Sequence, residues 1–233
     1  MIPDFTRLRV ISFDCYGTLI DWETGILSAL RPVLSAHRKF LDDDELLALY
    51  GELEADAEAD GQKFQIYHDV LRSVVRGFEQ RLDFTASDGE VNSLPASVQN
   101  WQPFPDTIAA LRKLKTRYRL AIISNVDDAL FAPSARKLEV EFDHVITAQQ
   151  AQAYKPSLRI FDLAKERIGV SSEQWLHAGQ SVYHDVIPAK SLGIATVWVN
   201  RASRRHGIGA VRPAIGTPDL EVPDLTTLAD VAS

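Results

Sequence analysis

Three scarcities narrow the reading before any motif is considered. Among 233 residues there is one cysteine, Cys15, so an internal disulfide is ruled out. Such a chain suits a reducing compartment, and the expected location is the cytoplasm. No apolar run approaches the roughly 20 residues that a membrane-spanning helix needs, and the N-terminus lacks a signal-peptide pattern, so no membrane partner is expected. Nor is there a basic excess: 25 Lys and Arg stand against 32 Asp and Glu, a formal charge of −7 that argues against nucleic acid. Internal repeats and low-complexity segments are also missing. What remains is an ordinary globular composition, 45% hydrophobic and 24% charged, with length enough to bury a real core.

The apolar residues fall into short β-branched runs that read as strands: Leu8–Phe13, Leu120–Ser124, His144–Thr147, Trp175–Ala178 and Ala195–Val199, with Leu220–Val222 as an edge strand. Helical patterns separate them. Pro105-Asp106 opens one with Ile108, Leu111, Leu114 and Tyr118 at helical spacing. Ser157 caps another that carries Ile160, Phe161, Ala164 and Ile168 and ends at Gly169; a third runs from Asp185 to Leu192 and a last one starts at Thr226. Strands alternating with helices predict an α/β fold with a parallel, doubly wound sheet. Residues 22–100 break the alternation. Leu41–Asp60, Phe64–Leu82 and Asp88–Gln99 are helical in pattern and carry no strand, so 22–100 reads as an all-helical cap inserted after the first strand, with 1–21 and 101–233 forming the core.

Polar landmarks stand at the strand ends. Asp14 follows the first run at once, with Gly17-Thr18 as its turn; Ser124-Asn125, Lys155-Pro156, and the loop from Gly179-Gln180 to Asp185 follow later strands. In a parallel sheet these ends share one edge, so distant residues can converge there. A carboxylate at such an edge can act as a nucleophile that splits a difficult hydrolysis into two steps. A hydroxyl and an amide can orient it or bind substrate. A lysine can neutralise charge, and a second carboxylate can hold that lysine or take a proton from water. The candidate catalytic set is therefore Asp14, Thr18, Ser124, Asn125, Lys155 and Asp185. Cys15, Tyr16, Gln180, Tyr183 and His184 stand beside it as candidate substrate-binding positions. Cys15, however, should point to the opposite side from Asp14 and be an inert buried thiol. His184 is the one candidate general base in the last loop.

Asp14-Cys-Tyr-Gly-Thr18, Ser124-Asn125, Tyr154-Lys155-Pro156 and the glycine-to-Asp185 loop resemble, in order, the four motifs of the haloacid dehalogenase superfamily, over nearly the whole chain. The resemblance implies a Rossmann-like core with a helical cap, a covalent aspartyl intermediate on Asp14 that water hydrolyses, and a homodimer. Superfamily phosphatases carry a second Asp where this chain has Tyr16, and an acidic residue where it has Gln180; both departures point away from Mg²⁺-dependent phosphoryl transfer, so no metal and no cofactor are expected. Tyr16 is similar to the tyrosine of L-2-haloacid dehalogenases, which displace halide by carboxylate attack without metal. Three of their features are absent: Leu46–Glu54 contains no arginine, their tyrosine after the motif lysine is Phe161, and Gln180 and Val182 replace a serine and an asparagine.

A narrower resemblance, to L-azetidine-2-carboxylate hydrolases, rests on Phe13–Gly25, Phe104–Thr107, Glu141–His144, Ile146–Gln149 and Ser181–Asp185. The implied reaction is displacement at carbon 2 of a small 2-substituted carboxylic acid, dehalogenase-like. Azetidine ring opening, a Mg²⁺-dependent phosphatase and a silent binding fold are the alternatives. Trp175 and His177 read as strand packing, and Arg201, Arg204, Arg205 and His206 as a solvated loop. Trp22, Tyr50, Phe64, Tyr67 and Trp101 read as packing in or beside the cap.

Overall fold

The computed structural model describes residues 2–59, 63–201 and 209–233. Six parallel strands form one sheet: β1 (Val10–Phe13), β2 (Arg119–Ser124), β3 (His144–Thr147), β4 (Trp175–Gly179), β5 (Ala195–Val199) and β6 (Leu220–Val222). Their order is β3-β2-β1-β4-β5-β6. The chain therefore winds outward from β1 to β3, then returns to lay β4 against β1. Phe13 pairs with Ile122 on one side and Ala178 on the other. The residue after Phe13 thus emerges where the winding reverses, the crevice that open α/β sheets use for ligands.

Side chains alternate across the sheet because successive residues of a strand face opposite ways. Ile11, Phe13, Leu120, Ile122, Leu176 and Ala178 join one core, with Leu111, Leu114, Leu225 and Leu228 from helices. Val10, Ala121, Ile123 and Trp175 join the other, against Ile160, Phe161, Ala164 and Ile168. Both faces of β1 are buried, which is why its sequence is an unbroken apolar run apart from Ser12.

Between β1 and β2 the described chain is helical: α1 (Trp22–Ala36), α2 (Asp43–Ala59), α3 (Tyr67–Leu82), α4 (Asp88–Val91), α5 (Ser93–Ser97) and a 3₁₀ turn at Val98–Asn100. Ser87 and Glu90 close a capping box on α4. The chain leaves and re-enters the core side by side: Asp21 N donates to Gln102 O and Phe104 N to Leu19 O. The later helices are α6 (Thr107–Lys115), α7 (Asp128–Leu138), α8 (Ala148–Ala151), α9 (Leu158–Ile168), α10 (Ile187–Ser191) and α11 (Leu225–Val231). Ser157 caps α9 and Gly169 ends it in the left-handed conformation.

Two helix expectations need correction. Tyr118 lies beyond α6, in the loop entering β2. The expected helix from Asp185 to Leu192 is a single π-helical turn, Val182–Val186, followed by α10. Asp60 and the basic residues Arg204, Arg205 and His206 lie outside the described residues. Among the described residues no helix is long and apolar enough to cross a membrane.

Candidate active site

Asp14 is 8% exposed, and its carboxylate is held from both sides. Thr18 Oγ1 donates to Oδ2 at 3.0 Å, and Lys155 Nζ donates to Oδ1 at 2.8 Å. Thr18 can reach back because Gly17 turns the chain at φ +89°. A Cβ on Gly17 would also stand 2.6 Å from Gln180 Oε1, so the turn needs glycine for space as well as for conformation. Thr18 Oγ1 in turn accepts from Gln180 N at 2.9 Å, locking the first loop to the one after β4.

Lys155, 2% exposed, has every ammonium proton placed: Asp14 Oδ1, Ile123 O at 2.9 Å and Asp185 Oδ1 at 2.6 Å. Burial works against its charge, but Asp14 and Asp185 outweigh that and hold it above the ordinary lysine pKa. For Asp185 burial is likewise opposed by Lys155 and His177, and its carboxyl lies well below the usual range. Its oxygens are committed: Oδ1 to Lys155 and His177 Nε2 (3.1 Å), Oδ2 to Ser181 N (3.3 Å). A Cβ on Gly179 would sit 2.4 Å from Asp185 Cγ, so that glycine makes room for the carboxylate. Asp14 differs in sign: burial and the Asp185 charge raise its pKa, against the pull of Lys155.

Asn125 braces the lysine by its backbone, with Oδ1 accepting from Lys155 N at 2.7 Å and Nδ2 donating to Lys155 O at 3.2 Å. Ser124, 1% exposed, is different: its Oγ is buried without a hydrogen-bond partner among the described residues, and the residue lines the cleft with Asp14. An orphaned hydroxyl is costly in a finished core and informative in a pocket. The cleft is walled by Asp14, Lys155 and Asp185 below and by α2 residues above. Tyr16, Gln180 and His184 also line it. Tyr16 OH shares a hydrogen bond with Ser134 Oγ at 3.0 Å, and its ring stands edge-on to Trp101. Burial lowers the His184 pKa to about 4, so its imidazole is neutral at pH 7.

Two expected substrate-binding positions are placed elsewhere. Cys15 is fully buried in the core and forms no part of the cleft wall, as alternation along the chain requires. Tyr183 lines the neighbouring groove, with Arg212 stacked on its ring at 4.7 Å. His177 does more than pack: Trp175 Nε1 donates to Ser12 Oγ, which bonds His177 Nδ1 at 2.8 Å, and His177 supports Asp185. Trp22 and Tyr67, read as cap packing, reach the cleft.

The residues that sequence reasoning missed are Glu54 and Glu58. Both come from α2 and line the cleft with Asp14. Glu54 Oε1 accepts from Tyr50 OH at 2.8 Å and from Tyr67 OH, and burial raises its pKa to about 7. Glu58, within 3.5 Å of Asn125 Nδ2, is raised well above the usual range, first by burial and then by Glu54. Their signal was present: Leu46, Tyr50, Glu54 and Glu58 recur every fourth residue, so one helix face starts apolar and ends in carboxylates.

A family model described as haloacid dehalogenase-like hydrolase matches residues 8–193. An (S)-2-haloacid dehalogenase from Pseudomonas sp. (strain YL) is 32% identical over 244 residues, covering 96% of this chain and 94% of the relative. Haloacetate dehalogenase H-2 from Moraxella sp. (strain B) is 28% identical over 222 residues, covering 93% and 94%. In structure, an L-2-haloacid dehalogenase from Xanthobacter autotrophicus with chloropropionic acid covalently bound superposes with a TM-score of 0.78 at 19% identity, covering 96% of this chain and 98% of that one.

Proposed function

The chain belongs to the haloacid dehalogenase-like hydrolases, and from that premise we propose that Asp14 is a nucleophile attacking carbon 2 of a small 2-substituted carboxylic acid. One carboxylate oxygen forms a bond to that carbon as the leaving group departs with the bonding pair. Water then attacks the carbonyl of the resulting ester and returns Asp14 unchanged. The observation that carries this reading is the Asp14–Lys155–Asp185 chain at the floor of the cleft. Lys155 opposes the burial that raises the Asp14 pKa and so favours the ionised nucleophile, and Asp185 keeps Lys155 in place. Thr18 fixes the attacking carboxylate, and Ser124 has an unused hydroxyl for the substrate's own carboxylate.

The same geometry argues for attack on carbon without a metal. Mg²⁺ prefers carboxylate and water oxygens. Asp185 has both oxygens engaged by Lys155, His177 and Ser181, and position 180 offers a neutral amide. Tyr16, bonded to Ser134, stands where a second acid would be needed to protonate a leaving phosphate-ester oxygen. That the Xanthobacter enzyme holds chloropropionic acid covalently supports an ester route for the shared fold.

Acid quench during turnover of L-2-chloropropionate, followed by intact-mass and peptide analysis, tests this. The reading expects a lactyl-sized adduct on the Asp14 peptide, absent in Asp14→Asn. Phosphatase activity on p-nitrophenyl phosphate that vanishes with chelator, and no adduct from any small 2-substituted acid, would overturn it.

A further inference from the structure

Opening an aspartyl ester needs a group that takes a proton from water, and among the described residues the floor of the cleft holds none free to do so. Asp185 has both carboxylate oxygens engaged, Oδ1 by Lys155 and His177 and Oδ2 by Ser181 N. Lys155 is charged and spends its donors on Asp14, Ile123 and Asp185. Burial pushes the Tyr16 hydroxyl well above the ordinary phenol range, so it keeps its proton. His184 has Nδ1 against Ser181 Oγ at 3.1 Å, and a pKa of about 4 makes its imidazole a weak base. The roof is different. Glu54, on α2, lines the cleft together with Asp14. Its Oε1 accepts from Tyr50 OH at 2.8 Å and from Tyr67 OH, the two hydroxyls lying 3.2 Å apart, and no hydrogen bond among the described residues reaches Oε2. Burial and then Glu54 hold both phenols well above their usual value, so each goes on donating. Burial favours the neutral acid and the two hydroxyls favour the carboxylate; the Glu54 pKa comes to about 7. Glu58, raised further by burial and by Glu54 itself, stays protonated at that pH. Independently of these acids, Ser124 Oγ stands buried and unpartnered among the described residues in the same cleft, a place for a ligand's polar group.

We propose that Glu54 is the general base of the second step, its unengaged Oε2 taking a proton from the water that opens the Asp14 ester. The assignment rests on Asp14 acting as the nucleophile. As the water oxygen bonds to Asp14 Cγ, its proton passes to Glu54. The tetrahedral adduct then collapses: the bond from Cγ to the substrate oxygen breaks with its electron pair on that oxygen, and Glu54 returns the proton there. A 2-hydroxy acid leaves. Asp14, now a carboxylic acid, loses its own proton to solvent and is again an ion beside Lys155. The timing follows from charge. After burial, the Asp14 carboxylate is what raises the Glu54 pKa, and the ester abolishes that charge. Glu54 is therefore more fully ionised once the ester has formed, when a base is needed, than in the resting site.

Single turnover of L-2-chloropropionate, acid-quenched at intervals and read by intact mass, separates the two steps in the intact enzyme. Glu54→Gln should form the Asp14 adduct as the wild type does and then hold it about a hundredfold longer or more, so that the ester accumulates while product formation stalls. Glu54→Asp, with its acid on a shorter arm, should recover part of the hydrolysis rate, and it carries the test where the glutamine variant fails to fold. An adduct that clears from both variants at the wild-type rate would overturn the assignment. So would a Glu54→Gln protein, folded by circular dichroism, that forms no adduct, because the residue would then act before water does. The nucleophile is read separately, from solvent oxygen entering the Asp14 carboxylate of the wild type during turnover. Oxygen entering, with hydrolysis indifferent to both substitutions, removes the base and leaves the nucleophile. No oxygen on Asp14 and no adduct on any variant removes the nucleophile, and the base with it.

Discussion

At the scale of single residues, the site works by opposing shifts within a few ångströms. Asp14 is pushed up by burial and by Asp185, whereas Asp185 is held down by Lys155 and His177. An acid whose pKa rises on folding binds its proton more tightly in the native state, so ionising it as pH rises subtracts stability. Asp14→Asn should therefore lose turnover by about ten-thousandfold or more yet melt no lower than the wild type at pH 7.5, in paired kinetic and thermal scans. The acid limb of the wild-type pH–rate profile should lie above the ordinary aspartate range. His184 has the reverse sign. Its folded pKa of about 4 lies below the ordinary 6.5, so the stability it contributes is present above that value and is lost as pH falls toward 4. His184→Gln should flatten thermal stability across that window, as Tm measured against pH would show. Asp14, Lys155 and Asp185 could be picked out in the sequence because each follows a strand: Asp14 directly after β1, Lys155 beyond β3 and α8, and Asp185 in the turn after β4. Glu54 and Glu58 were harder to read: their spacing from Leu46 and Tyr50 marks one helix face, but acidic residues in an acidic helix look like a solvated face until the packing partner is known.

At the scale of elements, the strands were the most readable part. Their runs are short, largely apolar and buried on both sides, so local pattern and tertiary role agree. The turn before α10 was less readable because Val182–Val186 bends around Asp185, a tertiary demand that leaves no periodic trace. The grip between the sheet's loops and the helices of residues 22–100 was also hidden. Asp127, following β2, accepts from Tyr67 N and His68 N at 2.7 Å each, so a core loop closes the start of α3. Tyr154 adds its hydroxyl to Gln65 O at 2.8 Å. Asp127→Ala should cost about 1–2 kcal/mol and speed amide hydrogen exchange in the first turn of α3 while leaving β1 and β4 protected. Unchanged exchange at Tyr67 and His68 would show the clasp to be incidental.

Across the whole molecule, one buried network and one surface tether unite segments distant in sequence. Trp175, Ser12, His177, Asp185, Lys155 and Asp14 form a continuous hydrogen-bonded chain from the sheet interior to the cleft. Removing its single cation leaves two buried carboxylates facing each other, so Lys155→Met should destabilise the fold by about 3–5 kcal/mol in chemical denaturation. Arg201 performs the outer tie: its Nε donates to Thr18 O at 2.8 Å and its Nη1 to Asp106 Oδ1 at 2.9 Å, while Asp106 Oδ2 accepts from Leu225 N. Arg201 read in sequence as a solvated loop residue, because nothing local indicates that its partners lie near residues 18 and 106. The parallel, doubly wound sheet, by contrast, followed from the alternation of strands and helices once the helical stretch was set aside, whereas its strand order is seen only in the structure.

The most direct measurement is turnover in heavy-oxygen water over several cycles, followed by mass analysis of the peptide containing Asp14. A nucleophilic Asp14 acquires solvent oxygen in its carboxylate, because water opens the ester at the side-chain carbonyl. Product labelled with solvent oxygen while Asp14 stays unlabelled would mean that water attacks the substrate directly, and would contradict the account.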